Sequence, residues 1–183
     1  MKKQPAVRWI AYTAMGVALA AAAQYLGTLI PDIAVIFGPF SVRQLITGTL
    51  VNCVLLVFTA RAGTGSGVAV GALSALLAAL LGISNLAVAP AVAAGNGLLC
   101  LVYGLLTRRT GLPARKVHIP AMLLGAAVKC AFLWLTVPLL LAGAGLPEKQ
   151  TAMLSIMFSW PQGVTALCGG LLSWPILSRL GRR

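Results

Sequence analysis

Six long apolar runs, near residues 9–30, 42–60, 67–83, 86–106, 119–143 and 160–178, fill most of the chain and are separated only by short breaks of Pro, Gly or charge. Each is close to the ~20 residues that carry a helix across a hydrocarbon core of ~30 Å. With 60% of the 183 residues hydrophobic, 9% charged and a mean hydropathy of +0.97, the chain has little polar surface with which to cover such helices in water. In lipid, every backbone polar group must be bonded internally, so only helices or a closed barrel can span. The continuous Leu, Ala, Val and Gly runs lack the alternation of barrel strands. The sequence therefore predicts an all-α integral membrane protein, a single transmembrane domain over residues 1–183 with about six spans. The run from Trp9 to Ile30 is longer than the apolar stretch of a usual signal peptide and reads as a retained first helix. The third run is short, so it is either tilted little or partly broken by Gly71 and Gly82, and it meets the fourth across Ser84 and Asn85. Five spans, with runs three and four as one re-entrant hairpin, is the alternative count.

The basic residues set an orientation. If both termini are cytoplasmic, the inner side holds Lys2, Lys3, Arg8, Arg61, Arg108, Arg109, Arg115, Lys116, Arg179, Arg182 and Arg183, which is 11 of the 14. The outer loops then hold Arg43 and Lys149, and Lys129 lies inside the fifth helix. An odd number of spans would export one terminus with its cations, so charge favours an even number independently of hydropathy. The net charge of +12 reads as topology plus attraction to anionic lipid and calls for no nucleic-acid partner.

Residues for bond-making chemistry are scarce. The only acids, Asp32 and Glu148, fall in expected outer loops, so paired carboxylates and acid clusters for magnesium are not expected. A proton symporter, which keeps an acid within the membrane, is disfavoured too. His118 is the only histidine and falls in a basic loop, while Cys53, Cys100, Cys130 and Cys168 are scattered through apolar runs and read as small core residues. No GxxxxGK[ST] phosphate loop is present. The expectation is a protein that is not an enzyme and has no metal or cofactor.

Binding groups are more plentiful. Gln44, Gly48 and Asn52 share one face of the second helix at i, i+4 and i+8; Asn96 is similarly deep in the fourth; Gln162, Thr165 and Gly169 form a face near the outer end of the sixth. Each of these polar residues has an alternative reading as an interhelical link. Trp134 and Trp160 offer rings for stacking, or belong to an outer aromatic belt. The segment Pro31 to Pro39, with Phe37, Gly38 and then Phe40, is too apolar for a free loop and reads as a lid or an interfacial segment. Lys129 is the one charge at mid-depth, where a lysine costs ~2.5–3.5 kcal/mol on insertion scales. With no acid in any helix to pair with it, it is a neutral amine, part of a cluster with Asn52 and Asn96, or the partner of an anionic ligand that Arg43 would attract at the outer end.

In the first helix Ala14, Ala18 and Ala22 repeat every four residues, with Gly16 and Ala20 on an adjoining strip. Small residues at that spacing let another helix approach closely, inside the fold or from another subunit. With this stripe the chain resembles the substrate-binding S components of energy-coupling-factor vitamin transporters. The glycine-rich stretch from Gly63 to Gly82 is similar to that family's short loop and third helix, and Pro31 to Pro39 to its first outer loop. The resemblance implies six helices with cytoplasmic termini in the plasma membrane of a prokaryote, and capture of a small nutrient from outside. It also implies docking, through Ala14, Ala18 and Ala22, to a transmembrane coupling subunit with two ATP-binding subunits. The chain would then topple in the membrane to release its cargo inward. A stand-alone facilitator or exporter, or a non-transporting membrane assembly factor, are the competing readings.

Overall fold

The computed structural model describes residues 6–31, 35–37, 40–109 and 114–180. Seven helices form among them: α1 (Ala6–Thr28), α2 (Val42–Ala62), α3 (Thr64–Leu80), α4 (Ala89–Arg109), α5 (Ala114–Gly143), α6 (Glu148–Met157) and α7 (Trp160–Leu180). The only strands among the described residues, β1 (Val35–Phe37) and β2 (Phe40–Ser41), pair antiparallel with Val35 opposite Ser41 and Phe37 opposite Phe40. The all-helical expectation holds apart from this small ribbon, which falls in the apolar segment before α2. Most of that segment lies outside the described residues, as does Asp32.

Six helices coincide with the six apolar runs, but they are not equivalent. Four, α1, α2, α4 and α5, are long and apolar enough to cross a membrane. At 1.5 Å per residue, the 17 residues of α3 reach about 25 Å, short of a full hydrocarbon core. The 21-residue α7 is long enough, but Gln162, Pro161, Pro175 and Arg179 lower its apolarity. Large apolar side chains such as Leu73, Leu124, Leu139 and Leu171 point away from the bundle and are exposed. An apolar surface of this kind suits lipid tails and is unusual on a protein surrounded by water.

Three local expectations change. Gly71 sits inside an unbroken α3, its bare Cα against the backbone of Asn96, and Gly82 lies beyond the helix end in the left-handed region at φ +70°. The link to α4 is longer than Ser84 and Asn85; it runs over residues 81–88, with Asn85 Oδ1 accepting from the Ala87 N–H at 2.8 Å. The expected outer loop around Glu148 and Lys149 is instead α6, with Pro147 at the N-cap and Glu148 in the first turn, where a negative charge is favourable.

Close approaches at glycine fix the packing directions. Gly16 faces Val70 and Phe58, Gly27 faces Thr47, Gly71 faces Asn96 and Gly104 faces Thr64, so α1 and α3 run antiparallel to α2 and α4. The starts of α1, α3 and α5 and the ends of α2, α4 and α7 therefore share one end of the bundle, which gathers Arg8, Arg61, Arg108, Lys116 and Arg179. Lys2, Lys3, Arg182 and Arg183 lie outside the described residues. At this end His118 is not in a loop: α5 starts at Ala114, and its ring is buried. The Gly170 carbonyl accepts from Nε2–H at 3.0 Å, which leaves Nδ1 to accept from the Tyr103 hydroxyl at 2.8 Å. One ring thus ties α4, α5 and α7 together.

The tightest seam joins α2 and α7, which run parallel. Gly48 faces Thr165 and Gly169 faces Asn52, so each helix offers a glycine where the other carries a polar side chain. A Cβ on Gly169 would come within 2.7 Å of Asn52 Cβ and 2.8 Å of the α2 backbone. Gly169→Ala is therefore expected to force the helices apart and to destabilise the protein by about 1–3 kcal/mol. Gly143→Ala, at a site with nothing within 4 Å, should be neutral or slightly stabilising. Thermal unfolding of both variants in detergent checks this, and equal melting temperatures would show the seam to be loose.

Candidate functional site: a polar pocket opposite the arginine end

Polar groups converge at the bundle end away from Arg8, Arg61, Arg108, Lys116 and Arg179. Late α1 contributes Gln24, early α2 contributes Arg43, Gln44, Thr47, Gly48 and Asn52, α4 contributes Asn96 and α5 contributes Lys129. The end of α6 and start of α7 close the side with Met157, Phe158 and Gln162. The cavity, open on one side, has a volume of about 240 Å³. That is below the roughly 300–1,000 Å³ of most ligand sites, so the pocket suits a small molecule.

Helical spacing places these groups. Gln44, Gly48 and Asn52 repeat every four residues and present one stripe, which Thr47, three residues after Gln44, widens. Lys129 is on the inward stripe of α5 that continues with Leu133 and Val137, both fully buried against α4. Its side chain is only 2% exposed. Lys129 Nζ donates to Asn52 Oδ1 at 2.8 Å, its only hydrogen-bond partner among the described residues. Asn52 is itself locked: its Nδ2 donates to Gly48 O at 2.8 Å and to Thr165 Oγ1 at 3.3 Å, and the Thr165 hydroxyl passes its proton on to Gln162 O at 3.2 Å. The oxygen of Asn52 has no choice but to face the lysine. An ammonium carries three N–H donors, so two remain. Glu148, the acid among the described residues, is exposed at the start of α6 and makes no contact with Lys129.

Two further amides are oriented by the backbone. Gln44 Nε2 donates to Met157 O at 2.9 Å, joining α2 to the end of α6, while Ser41 caps α2 by accepting from the Gln44 N–H at 3.3 Å. Asn96 Nδ2 donates to Gly71 O at 3.2 Å.

Of the residues singled out in the sequence, the pocket brings together Lys129, Asn52, Asn96, Arg43, Gln44 and Gln162. Lys129 is in a cluster with Asn52, as one of the three readings has it, whereas Asn96 turns its amide nitrogen to α3. Thr165 stands behind Asn52 and orients it without lining the cavity. Trp134 and Trp160 do not line it. Trp134 directly follows the buried Leu133, and one residue of helix turns it by about 100° onto the outer surface, where it is 66% exposed. Trp160 lies edge-on to Phe40, ring centroids 5.2 Å apart, and so anchors β2 next to the pocket mouth. The sequence did not single out Gln24, Thr47, Met157 or Phe158. Gln24 is the one amide in the apolar stretch of α1 and could have been noticed as such; Met157 and Phe158 depend on α6, which hydropathy alone does not reveal.

On the first helix the two small-residue strips separate. Gly16 and Ala20, with Thr13, Ala23 and Gly27, face inward, and Thr13 and Ser66 share a 2.9 Å hydrogen bond to α3. Ala14, Ala18 and Ala22 are exposed on the outer face. Comparison with protein-family models gives no match, and neither comparison with curated proteins nor comparison with solved structures gives one.

Proposed function

We propose that the chain is the substrate-capture subunit of a nutrient uptake system, crossing the plasma membrane of a prokaryote six times with both termini in the cytoplasm. The nutrient, a vitamin, a vitamin precursor or a related compound, enters the pocket from outside, and separate coupling and ATP-binding subunits energise its passage. The observation that carries this reading is Lys129: a buried ammonium with spare donors, no acid beside it among the described residues, and a cavity in front of it. A lysine at that depth is expensive, and an unpaired one is easily replaced unless something charged or strongly accepting visits it. The nutrient therefore brings a carboxylate or a comparable acceptor, which Arg43 in the lining helps to attract. The exposed Ala14, Ala18 and Ala22 supply the face through which a coupling subunit packs.

Three outcomes follow from this reading. Lys129→Met removes a buried cation, which relieves ~2.5–3.5 kcal/mol on insertion scales. It also strands Asn52 Oδ1, which costs ~1–3 kcal/mol. The two nearly cancel, so the variant should melt like the parent yet lose any small molecule that native mass spectrometry finds retained by the parent. Undiminished retention would make the lysine purely structural. Single-cysteine labelling from either side should find positions beside Glu148 reactive from outside and the 110–113 segment reactive from inside, and the reverse pattern defeats the topology. Replacing Ala14 or Ala18 by Trp should prevent co-purification with a coupling subunit and two ATPases while leaving the retained small molecule in place. Normal assembly of those variants would reduce the stripe to a lipid-facing surface, and full transport by the purified chain alone would favour a facilitator.

A further inference from the structure

Two amides of the pocket have their donor and acceptor ends fixed by the surrounding protein. Gln44 Nε2 is committed to Met157 O, and a carbonyl can accept only from the nitrogen end of the amide, so Gln44 Oε1 cannot be exchanged for a donor. That oxygen is buried and has no partner among the described residues. Asn96 repeats the arrangement: its nitrogen is held by Gly71 O, which leaves its oxygen as the acceptor in the lining. Gln24 Oε1, from the same lining, is also buried without a partner among the described residues, as is the Thr47 hydroxyl, which lies against Gly27 and can donate as well as accept. Facing these acceptors are the two spare N–H of Lys129, with the Arg43 guanidinium also in the lining. Gln44 and Asn52 are eight residues apart on α2, about 12 Å along its axis. The cation beside Asn52 and the acceptor on Gln44 therefore stand at two depths, the cation deep in the bundle and the acceptor nearer the outer end.

Resting on the substrate pocket proposed above, we infer that the substrate is a short molecule polar at both ends. It carries an anionic or strongly accepting group for Lys129 and N–H or O–H donors for Gln44 Oε1 and its neighbours. A carboxylate with a hydrocarbon tail does not fit, because it would cover these oxygens and give them nothing to accept. Any molecule that fills the cavity and offers them no donor leaves these acceptors stranded. A site built to bond a substrate N–H rejects the analogue that lacks it far more strongly than it rejects a change of size. The small volume disfavours bulky ring systems and tailed cofactors.

Matched probes test this whatever the natural substrate is. Calorimetry on the full chain in detergent compares γ-ureidobutyrate, which has a carboxylate and a urea bearing N–H, with its fully N-methylated analogue and with hexanoate. The expected result is Lys129-dependent binding of γ-ureidobutyrate at least about tenfold tighter than of the other two acids, a difference that a stranded acceptor sets. Gln44→Leu should erase most of that preference, and the methylated probe gives the same information should this variant not fold. If hexanoate or the methylated acid binds as tightly as γ-ureidobutyrate and loses its binding in Lys129→Met, the donor requirement is overturned and the anion pocket stands. If none of the three acids binds in a Lys129-dependent way, the pocket reading itself fails, and this inference with it.

Discussion

The 2.8 Å contact from Lys129 Nζ to Asn52 Oδ1 is the point on which the pocket half of the bundle depends. A buried ammonium is tolerable only if its donors are met and its partners cannot turn away. Asn52 cannot turn, because Gly48 O and Thr165 Oγ1 hold its nitrogen. That grip needs α2 and α7 close enough for Asn52 to reach Thr165, and the approach needs glycine at 48 and 169, where a methyl group would collide with the opposite helix. Backbone permissiveness thus sets helix distance, helix distance sets the orientation of one amide, and that amide sets the polarity of the pocket floor. The dependence runs in one direction. Loss of the lysine leaves the seam intact, whereas loss of the seam releases the lysine's anchor.

The two ends of the bundle solve the same problem, polar groups inside an apolar body, in opposite ways. At the arginine end the buried ring of His118 uses both nitrogens and packs against Tyr103 and Trp174, so nothing is left to bond. At the other end Gln24, Gln44 and Thr47 keep buried oxygens without partners among the described residues, around a cavity. Unsatisfied buried acceptors are uncommon in folded proteins and call for an explanation. Thr64 keeps a buried hydroxyl without a described partner at the arginine end as well, so the difference lies in grouping: Gln24, Gln44 and Thr47 all belong to the lining of one cavity, and a molecule that comes and goes there accounts for the grouping better than imperfect packing does.

How much of this the sequence discloses depends on the length scale of the signal. The spanning helices are legible because an apolar run near 20 residues has few other uses. The pocket-lining stripe on α2 is legible because Gln44, Gly48 and Asn52 keep helical register inside an otherwise apolar run. Hydropathy marks where a helix enters apolar surroundings, which is not where it begins. His118 is misplaced on that account: α5 starts at Ala114, and its basic first turns read as loop although the backbone is already helical. The ten residues of α6 mix charge, amide and methionine and have no buried member, so they leave no apolar signature at all. Two tryptophans look like ligand platforms from their depth alone. Depth does not give azimuth, and a shift of one residue from Leu133 sends Trp134 to the outside.

Azimuth also resolves the first helix, and with it the place where binding and docking could influence each other. The inward strip of Thr13, Gly16, Ala20 and Ala23 packs on α2 and α3, while Ala14, Ala18 and Ala22 look outward, so the internal-packing and external-face readings apply to different strips of the same helix. Gln24, two residues beyond Ala22, lines the pocket. One rigid rod therefore carries both the exposed stripe and part of the pocket wall. Gly27, one turn further on, lets that rod lie directly against Thr47 on the pocket stripe of α2. A substrate that draws Gln24 inward would move α1 as a unit, because a helix transmits displacement along its axis without needing a chain of side-chain contacts. Among the elements that line the pocket, α1 thus offers the shortest physical route between its contents and a partner packed on the alanine face.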